Sequence, residues 1–251
     1  MKRTLLIFFL TFAAISALPQ KVDLIFQKGN DAYKEGNYEE AIEHYMKIIS
    51  LGYESPGLYF NLANSYYKYN QIAPAIYYYE KALKLNPNYE DAKVNLKIAR
   101  RMTLDRFDPL PMTFFQRFAE RVIYARSSDF WAVNTILFAL LAVVAFFYYY
   151  FGYTLKRQKT GLIASITGLL LFLITLFFAI KTSHYEKHRR PAIIFAHKTG
   201  VYSEPDPAST LLYDIHEGTK ILLEEKDGDW CKVRLPDGNK GWVICESFKE
   251  Y

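Results

Sequence analysis

Two apolar runs without a single charge, residues 130–151 and 161–180, stand near the middle of the chain with only the polar nonapeptide GYTLKRQKT between them. As helices rising 1.5 Å per residue they reach about 33 Å and about 30 Å, against a bilayer hydrocarbon core of about 30 Å. A core helix of a soluble protein can also be apolar on every side, but two such stretches in tandem read as a transmembrane hairpin. Everything else then falls into two water-soluble pieces, one before the hairpin and one after it. Trp131 at one end and Tyr148, Tyr149, Tyr150 and Tyr153 at the other match aromatic belts at the two interfaces. In the second run Gly161 with Ser165, and Ala164 with Gly168, make small-residue pairs four apart, which Ala139, Ala142 and Ala145 of the first run can face.

The chain opens on MKRTLLIFFLTFAAISALPQ, where Lys2 and Arg3 precede an apolar stretch and Ser16 and Ala17 precede Pro19. This is the build of a secretory signal over residues 1–18, cleaved near Ala17 or retained as an anchor, and in either case it exports the adjoining domain. The net charge of +5, from 31 basic and 26 acidic residues, gathers around the apolar runs at Arg117, Arg121, Arg126, Lys156, Arg157, Lys159, Lys181, Lys187, Arg189 and Arg190. That distribution fits a membrane edge, and no nucleic-acid partner is expected. The two cysteines, Cys231 and Cys245, are too few for a disulfide framework or a four-cysteine zinc site; they either pair or sit free.

After the signal the chain repeats itself at an offset of 34: Gly29 with Ala63, Asn30 with Asn64, Tyr33 with Tyr67, Lys34 with Lys68, Ala41 with Ala75, Tyr45 with Tyr79. Turns near Asn37 and Asn70 split each copy into two periodic segments, and Pro87 closes the second. The pattern resembles the tetratricopeptide repeat, with units at 22–55 and 56–89 and a capping helix, NYEDAKVNLKIARRM, that takes the region to residue 105. The resemblance implies stacked helix pairs and a concave groove lined by Phe26, Asn30, Tyr33, Lys34, Phe60, Asn64, Tyr67 and Lys68, with Lys97 and Arg101 from the capping helix. In such a groove asparagines bond an extended peptide backbone and cations hold a carboxylate.

Residues 106–129 form a joint, broken by Asp108, Pro109 and Pro111, in which Phe114, Phe118 and Val122 oppose Arg117, Glu120 and Arg121. This is an amphipathic helix suited to a membrane surface, with Ser127, Ser128 or Asp129 capping the first span. Spans at 130–151 and 161–180 enclose a cytoplasmic loop at 152–160. From 181 to 251 the pattern turns to short runs, AIIFAH, KILLEEK, WCKVRL and GWVICE, separated by SEPDP, HEGT and PDGN turns. Gly218, Trp230, Gly238, Gly241 and Trp242 are spaced as in the bacterial SH3-like domain, which this segment resembles. Tyr202, Tyr213, Trp230 and Trp242 are its candidate aromatic surface for peptides or peptidoglycan, although at least one tryptophan, Trp242 by preference, is expected in the core.

No phosphate loop, dinucleotide fingerprint or metalloprotease helix occurs, His184 and His188 alone are poor grounds for zinc, and no carboxylates assemble into an acid–base pair, so a non-enzyme without cofactor or metal is expected. The fold class is therefore a multidomain membrane protein: all-α repeats, a two-helix hairpin and an all-β SH3-like barrel. The full order of parts resembles the BatE family of Bacteroides aerotolerance proteins. That resemblance implies an inner-membrane scaffold among Bat proteins bearing von Willebrand factor A domains and a MoxR-type AAA+ ATPase, in envelope or oxidative stress, with both end domains periplasmic. The alternative is a wall sensor or tether that binds peptidoglycan or peptides through the barrel.

Overall fold

The computed structural model describes residues 22–107 and 110–251; the signal segment and two residues of the joint, Asp108 and Pro109, lie outside them. The chain forms two compact units. One joins the residues up to Pro109 with Pro191–Tyr251, and the other is Leu110–Arg190.

In the first unit, five helices build the repeats: α1 over residues 22–35, α2 Tyr38–Ser50, α3 Pro56–Lys68, α4 Ile72–Leu85 and α5 Glu90–Arg100. Ser55 caps α3 by accepting from the Leu58 amide at 3.1 Å, and Pro56 takes the first helical position, where its missing N–H costs nothing. A Cβ on Gly29 would stand 2.7 Å from the Tyr45 ring, so glycine there lets α1 and α2 close on each other. Ala41, Tyr45, Ala63, Ala75 and Tyr79 are all buried.

Helix α4 is covered around most of its circumference, and three consecutive tyrosines show how. Successive side chains step about 100° around a helix, so Tyr77, Tyr78 and Tyr79 address three different neighbours. Tyr79 donates to Asn64 on α3, whereas Tyr78 donates to the Met46 sulfur at 3.1 Å and stacks on Tyr66 with centroids 5.6 Å apart. Tyr77 meets Phe195 at 5.5 Å and Tyr251 at 6.0 Å, and its hydroxyl donates to the Glu250 carbonyl at 3.1 Å. Thus the C-terminal domain docks directly on the second repeat.

That domain is one seven-stranded sheet in the order β3-β2-β6-β5-β4-β1-β7, with β1 Arg190–Ile194, β2 Lys198–Tyr202, β3 Leu211–His216, β4 Lys220–Asp227, β5 Trp230–Arg234, β6 Lys240–Ile244 and β7 Phe248–Glu250. Residues from all seven strands or their ends meet in one core that includes Ala192, Ile194, Val201, Ile215, Ile221, Val233, Val243 and Phe248, so the sheet curls around it. Strand β1 is buried on both faces: Ala192 and Ile194 enter this core, while Ile193 enters the repeat core beside Ile76 and Tyr79. Cys231 and Cys245 are joined by a disulfide with Cα atoms 5.2 Å apart.

Polar clasps flank this contact. Glu80 on α4 is only 8% exposed and is held by Lys220 at 2.9 and 3.0 Å and by Arg100. Burial opposes its ionisation, but the two cations outweigh burial and keep its pKa below the ordinary 4.5. Asp105, just after the repeats, accepts from the His216 amide at 2.6 Å, His216 Nδ1 at 2.9 Å and Thr219 Oγ1 at 2.6 Å. Partial burial again opposes charge, and these donors win, lowering its pKa from 3.8. Between the clasps lies Gly218, whose φ of +82° disfavours any side chain and on which a Cβ would stand 2.7 Å from Thr103 and 3.1 Å from Ile76.

In the second unit a short helix α6, Phe114–Phe118, opens on a Thr113–Gln116 capping box and passes into a π-helical turn, Ala119–Ile123. The carbonyl of Ile123 accepts from Trp131 Nε1 at 2.9 Å and Thr182 Oγ1 at 3.3 Å, and Tyr124 stacks on Tyr185 at 3.9 Å. Two helices come next that are long and apolar enough to cross a membrane, α7 Ser128–Tyr150, capped by Ser127, and α8 Leu155–His188. These bounds differ from the sequence expectation of a loop at 152–160 and a C-terminal domain from 181. Thr154 caps α8 early by accepting from the Arg157 amide, and nothing in KTSHYEK breaks the helix before Pro191, which disfavours helical backbone at its predecessor. The connection is therefore four residues, and the sheet begins at Arg190.

The helices meet along a seam of every seventh residue. Gly161, Gly168, Thr175 and Thr182 are the buried positions of α8, and Thr135 that of α7. A Cβ on Gly161 would lie 2.6 Å from the Tyr149 backbone, and one on Gly168 would lie 3.0 Å from Ala142. A spacing of seven keeps one edge facing the partner along two crossing helices, whereas Ala164 is exposed and Ser165 half-buried, so the four-residue pairs expected from the sequence are not the seam.

Two outcomes are expected. Gly168→Ile drives a side chain into α7 and lowers the melting temperature of the detergent-solubilised protein by several degrees, as overpacking by about 1–3 kcal/mol does, whereas Ile163→Leu on the exposed face does not. For the clasps, carboxylates whose folded pKa is depressed stabilise fully above the unfolded values of 4.5 and 3.8, and that stability is lost as pH falls through the lower folded values. Urea unfolding followed by tryptophan fluorescence therefore shows a midpoint that drops between pH 5 and pH 3, by less in Asp105→Asn because that variant has lost one contribution at all pH values.

Candidate functional site

The repeats carry one constellation twice. Asn30 Oδ1 accepts from Tyr45 Oη at 2.8 Å and from Asn61 Nδ2 at 3.0 Å. One repeat on, Asn64 Oδ1 accepts from Tyr79 Oη at 2.5 Å and from Asn95 Nδ2 at 2.9 Å. Each rung ties three helices together: the first and second helices of a unit and the first helix of the next. Burial pushes the Tyr45 phenol up to about 12 and raises that of Tyr79, so both stay protonated donors at any physiological pH. With both Oδ1 atoms occupied from within, the Nδ2 amides of Asn30 and Asn64 have no protein acceptor among the described residues.

A cavity of about 240 Å³ opens at the second rung, lined by Tyr33, Asn64, Tyr67, Lys68, Tyr79, Asn95 and Ile98. Four of the residues singled out from sequence meet there: Tyr33, Asn64, Tyr67 and Lys68. Asn30 occupies the equivalent rung one repeat earlier. Phe26 packs on Tyr45 at 5.7 Å, and Phe60 packs on Tyr79 at 6.1 Å and Tyr89 at 4.9 Å, so these rings support the rungs from behind. Lys34 is exposed and pairs with Asp31 in its own turn at 3.3 Å. Lys97 and Arg101 are exposed and do not line the cavity; α5 contributes Asn95 and Ile98 to it instead. Asn61 and Asn95 were not among the residues expected from sequence, although they too are separated by 34, and that extra match was the signal for them.

On the sheet, alternation decides which side chains are presented. Cys231, Val233, Gly241 and Val243 are buried, which turns Trp230 and Lys232 of β5 and Trp242 of β6 outward. Trp242 stands opposite Tyr202 on β2 and opposite Lys232, whose Nζ lies 5.6 Å from its ring, and Tyr202 meets Trp230 edge-on at 5.4 Å. Tyr202, Trp230 and Trp242 therefore share one partly exposed face with a cation beside it. Neither tryptophan is in the core, contrary to the expectation for Trp242, because Gly241 and Val243 take the inward positions of its strand. Tyr213 is separate: it pairs with Val201, packs against the sheet core, and its buried hydroxyl has no hydrogen-bond partner among the described residues.

Comparison with known proteins matches residues 22–51 and 57–89 to the tetratricopeptide repeat and residues 197–246 to the bacterial SH3 domain. Human RNA polymerase II-associated protein 3 is 29% identical over 117 residues, which are 47% of this chain and 17% of that protein, so the chain spans a small part of this curated relative. Among solved structures, the Sgt2 repeat domain of Aspergillus fumigatus is 28% identical and covers 32% of this chain and 54% of its own, with a TM-score of 0.31. The first repeat module of Spaghetti (RPAP3), solved with an HSP90 peptide, is 33% identical over 33% of this chain and 65% of its own, also with a TM-score of 0.31. The chain thus carries tetratricopeptide repeats, modules associated with protein–protein interaction, and a bacterial SH3 domain, a module associated with peptidoglycan; nothing in these matches is an enzymatic domain.

Proposed function

We propose that the protein is a non-enzymatic membrane adaptor whose repeat groove holds an extended segment of a partner protein. The doubled asparagine rung carries this reading. Asn30 and Asn64 each offer an amide donor whose carbonyl is already committed, and Asn61 and Asn95 have committed a donor and keep a carbonyl. Paired amide donors and acceptors on one face suit a peptide main chain, and Lys68 adds a cation for an acidic side chain or terminus.

The hairpin supports an anchor in the bacterial inner membrane, and exposed Phe114, Phe115 and Phe118 beside Arg117 and Arg121 suit a helix resting on its surface. An even number of spans returns both ends to one side. The signal-like opening and the Cys231–Cys245 disulfide favour the oxidising, periplasmic side for them. The resemblance to the BatE family adds the partners: Bat proteins with von Willebrand factor A domains and a MoxR-type AAA+ complex, acting in envelope or oxidative stress.

A second reading rests on the outward face of Tyr202, Trp230 and Trp242 with Lys232, which offers flat apolar rings and a cation to a peptidoglycan fragment. A photo-crosslinking residue in place of Tyr67, in the full chain within its native membrane, separates the two. A discrete protein adduct that vanishes in an Asn64→Ala, Asn95→Ala double variant and persists in Trp230→Ala supports the groove. An adduct indifferent to the asparagines, or none while a probe at Trp230 captures wall material, contradicts it.

A further inference from the structure

The second unit has a groove of its own. It measures about 600 Å³ and lies between the start of α7 and the end of α8, lined by Ser128, Asp129, Ala132, Ala179, Ile180, Ser183, His184, Lys187 and His188. Its lining is graded along the helices. Ala132, Ala179 and Ile180 belong to the apolar runs, whereas Asp129, Ser183, His184, Lys187 and His188 lie beyond them. From Ile180 to His188 is about 12 Å of helix, and a headgroup layer is about 5–8 Å thick, so on the membrane reading proposed above this groove crosses the boundary between acyl chains and headgroups.

The polar end carries both signs. Lys187 and the Ser183 hydroxyl are donors of the kind that bind phosphate. Asp129 is an acceptor. His188 Nδ1 lies 2.8 Å from the His184 carbonyl, a contact it makes as a donor, so that in the neutral imidazole Nε2 is an acceptor, and the two imidazoles stack with centroids 3.9 Å apart. Glu186, the other carboxylate of this turn, is committed to the groove's own rim: it accepts from the Ser128 amide at 3.1 Å and the Ser128 hydroxyl at 2.6 Å, which occupy both its oxygens. A simple anion would meet Asp129 unfavourably and a simple cation would meet Lys187 unfavourably. A zwitterion with a phosphate and a primary ammonium satisfies both.

From this charge complementarity and grading we infer that the groove binds an aminophospholipid, its phosphate on Lys187 and Ser183, its ammonium on Asp129 and His188, and an acyl chain along Ala132, Ala179 and Ile180. The inference rests on the hairpin being in a bilayer, and the experiment separates the two. The full chain is reconstituted in vesicles of equal parts phosphatidylethanolamine, phosphatidylglycerol and phosphatidylcholine, recovered by flotation, and examined by native mass spectrometry for retained lipid. Retained phosphatidylethanolamine is expected to exceed both others. Lys187→Gln is expected to lower it about tenfold, the loss of one charge-assisted contact. Asp129→Asn, also exposed and outside the helix seam, is expected to erase the preference over phosphatidylglycerol. Flotation with no lipid preference, or a preference unchanged in both variants, overturns this site and leaves the hairpin standing; failure to float overturns both.

Discussion

One helix and one strand hold the first unit together. Helix α4 gives Tyr79 to the groove, Tyr78 to the first repeat and Tyr77 to the sheet, and β1 answers with Ile193 buried on α4 while Ala192 and Ile194 build the sheet's own core. Repeat arrays need their last apolar face covered, and a sheet needs its exposed apolar face covered. Here each module covers the other. Buried Glu80 makes the match specific, since an unpaired carboxylate there is costly and Lys220 from the sheet joins Arg100 from the repeats in compensating it.

This arrangement has a functional consequence. The groove rung at Asn64 and the docking surface at Tyr77 are on the same helix pair, two residues apart on α4 where Tyr79 and Tyr77 stand. A segment seated in the proposed groove would therefore touch the same helix that seats the sheet, and the aromatic face of Tyr202, Trp230 and Trp242 belongs to that same compact unit. On the adaptor reading proposed above, two surfaces carried on one compact unit lose less orientational freedom when the second engages.

Much of this was legible in the chain. The 34-residue period located the helices, the rung asparagines Asn30 and Asn64 and the tyrosines Tyr45 and Tyr79, because each recurring residue meets the same local geometry in every unit. The two long apolar helices came from length and absence of charge. What stayed hidden was contact between distant segments. Ala192–Phe195 is a continuous apolar run, the mark of a strand covered on both faces, and Tyr77–Tyr79 is a triple that no single helix face can absorb. Both signals were present, but nothing local says that one run answers the other. The seven-residue seam of the hairpin was hidden for a related reason: small residues are frequent in both helices, and the pairing of Gly161 with Tyr149 and of Gly168 with Ala142 selects the register.

Whether repeats and sheet form one cooperative body decides the account of the first unit, and it is directly measurable. Hydrogen exchange in the full-length protein, followed by mass spectrometry over increasing denaturant, reads the opening of each segment separately. Helices α3 and α4 and strands β1 and β7 are expected to lose protection at one common midpoint. An Ile193→Ala substitution is expected to lower that midpoint for the repeat helices as well as for the strands, by the about 2–5 kcal/mol of a deep large-to-small change. Separate midpoints for helices and strands, with Ile193→Ala felt by the strands alone, would contradict the single cooperative body.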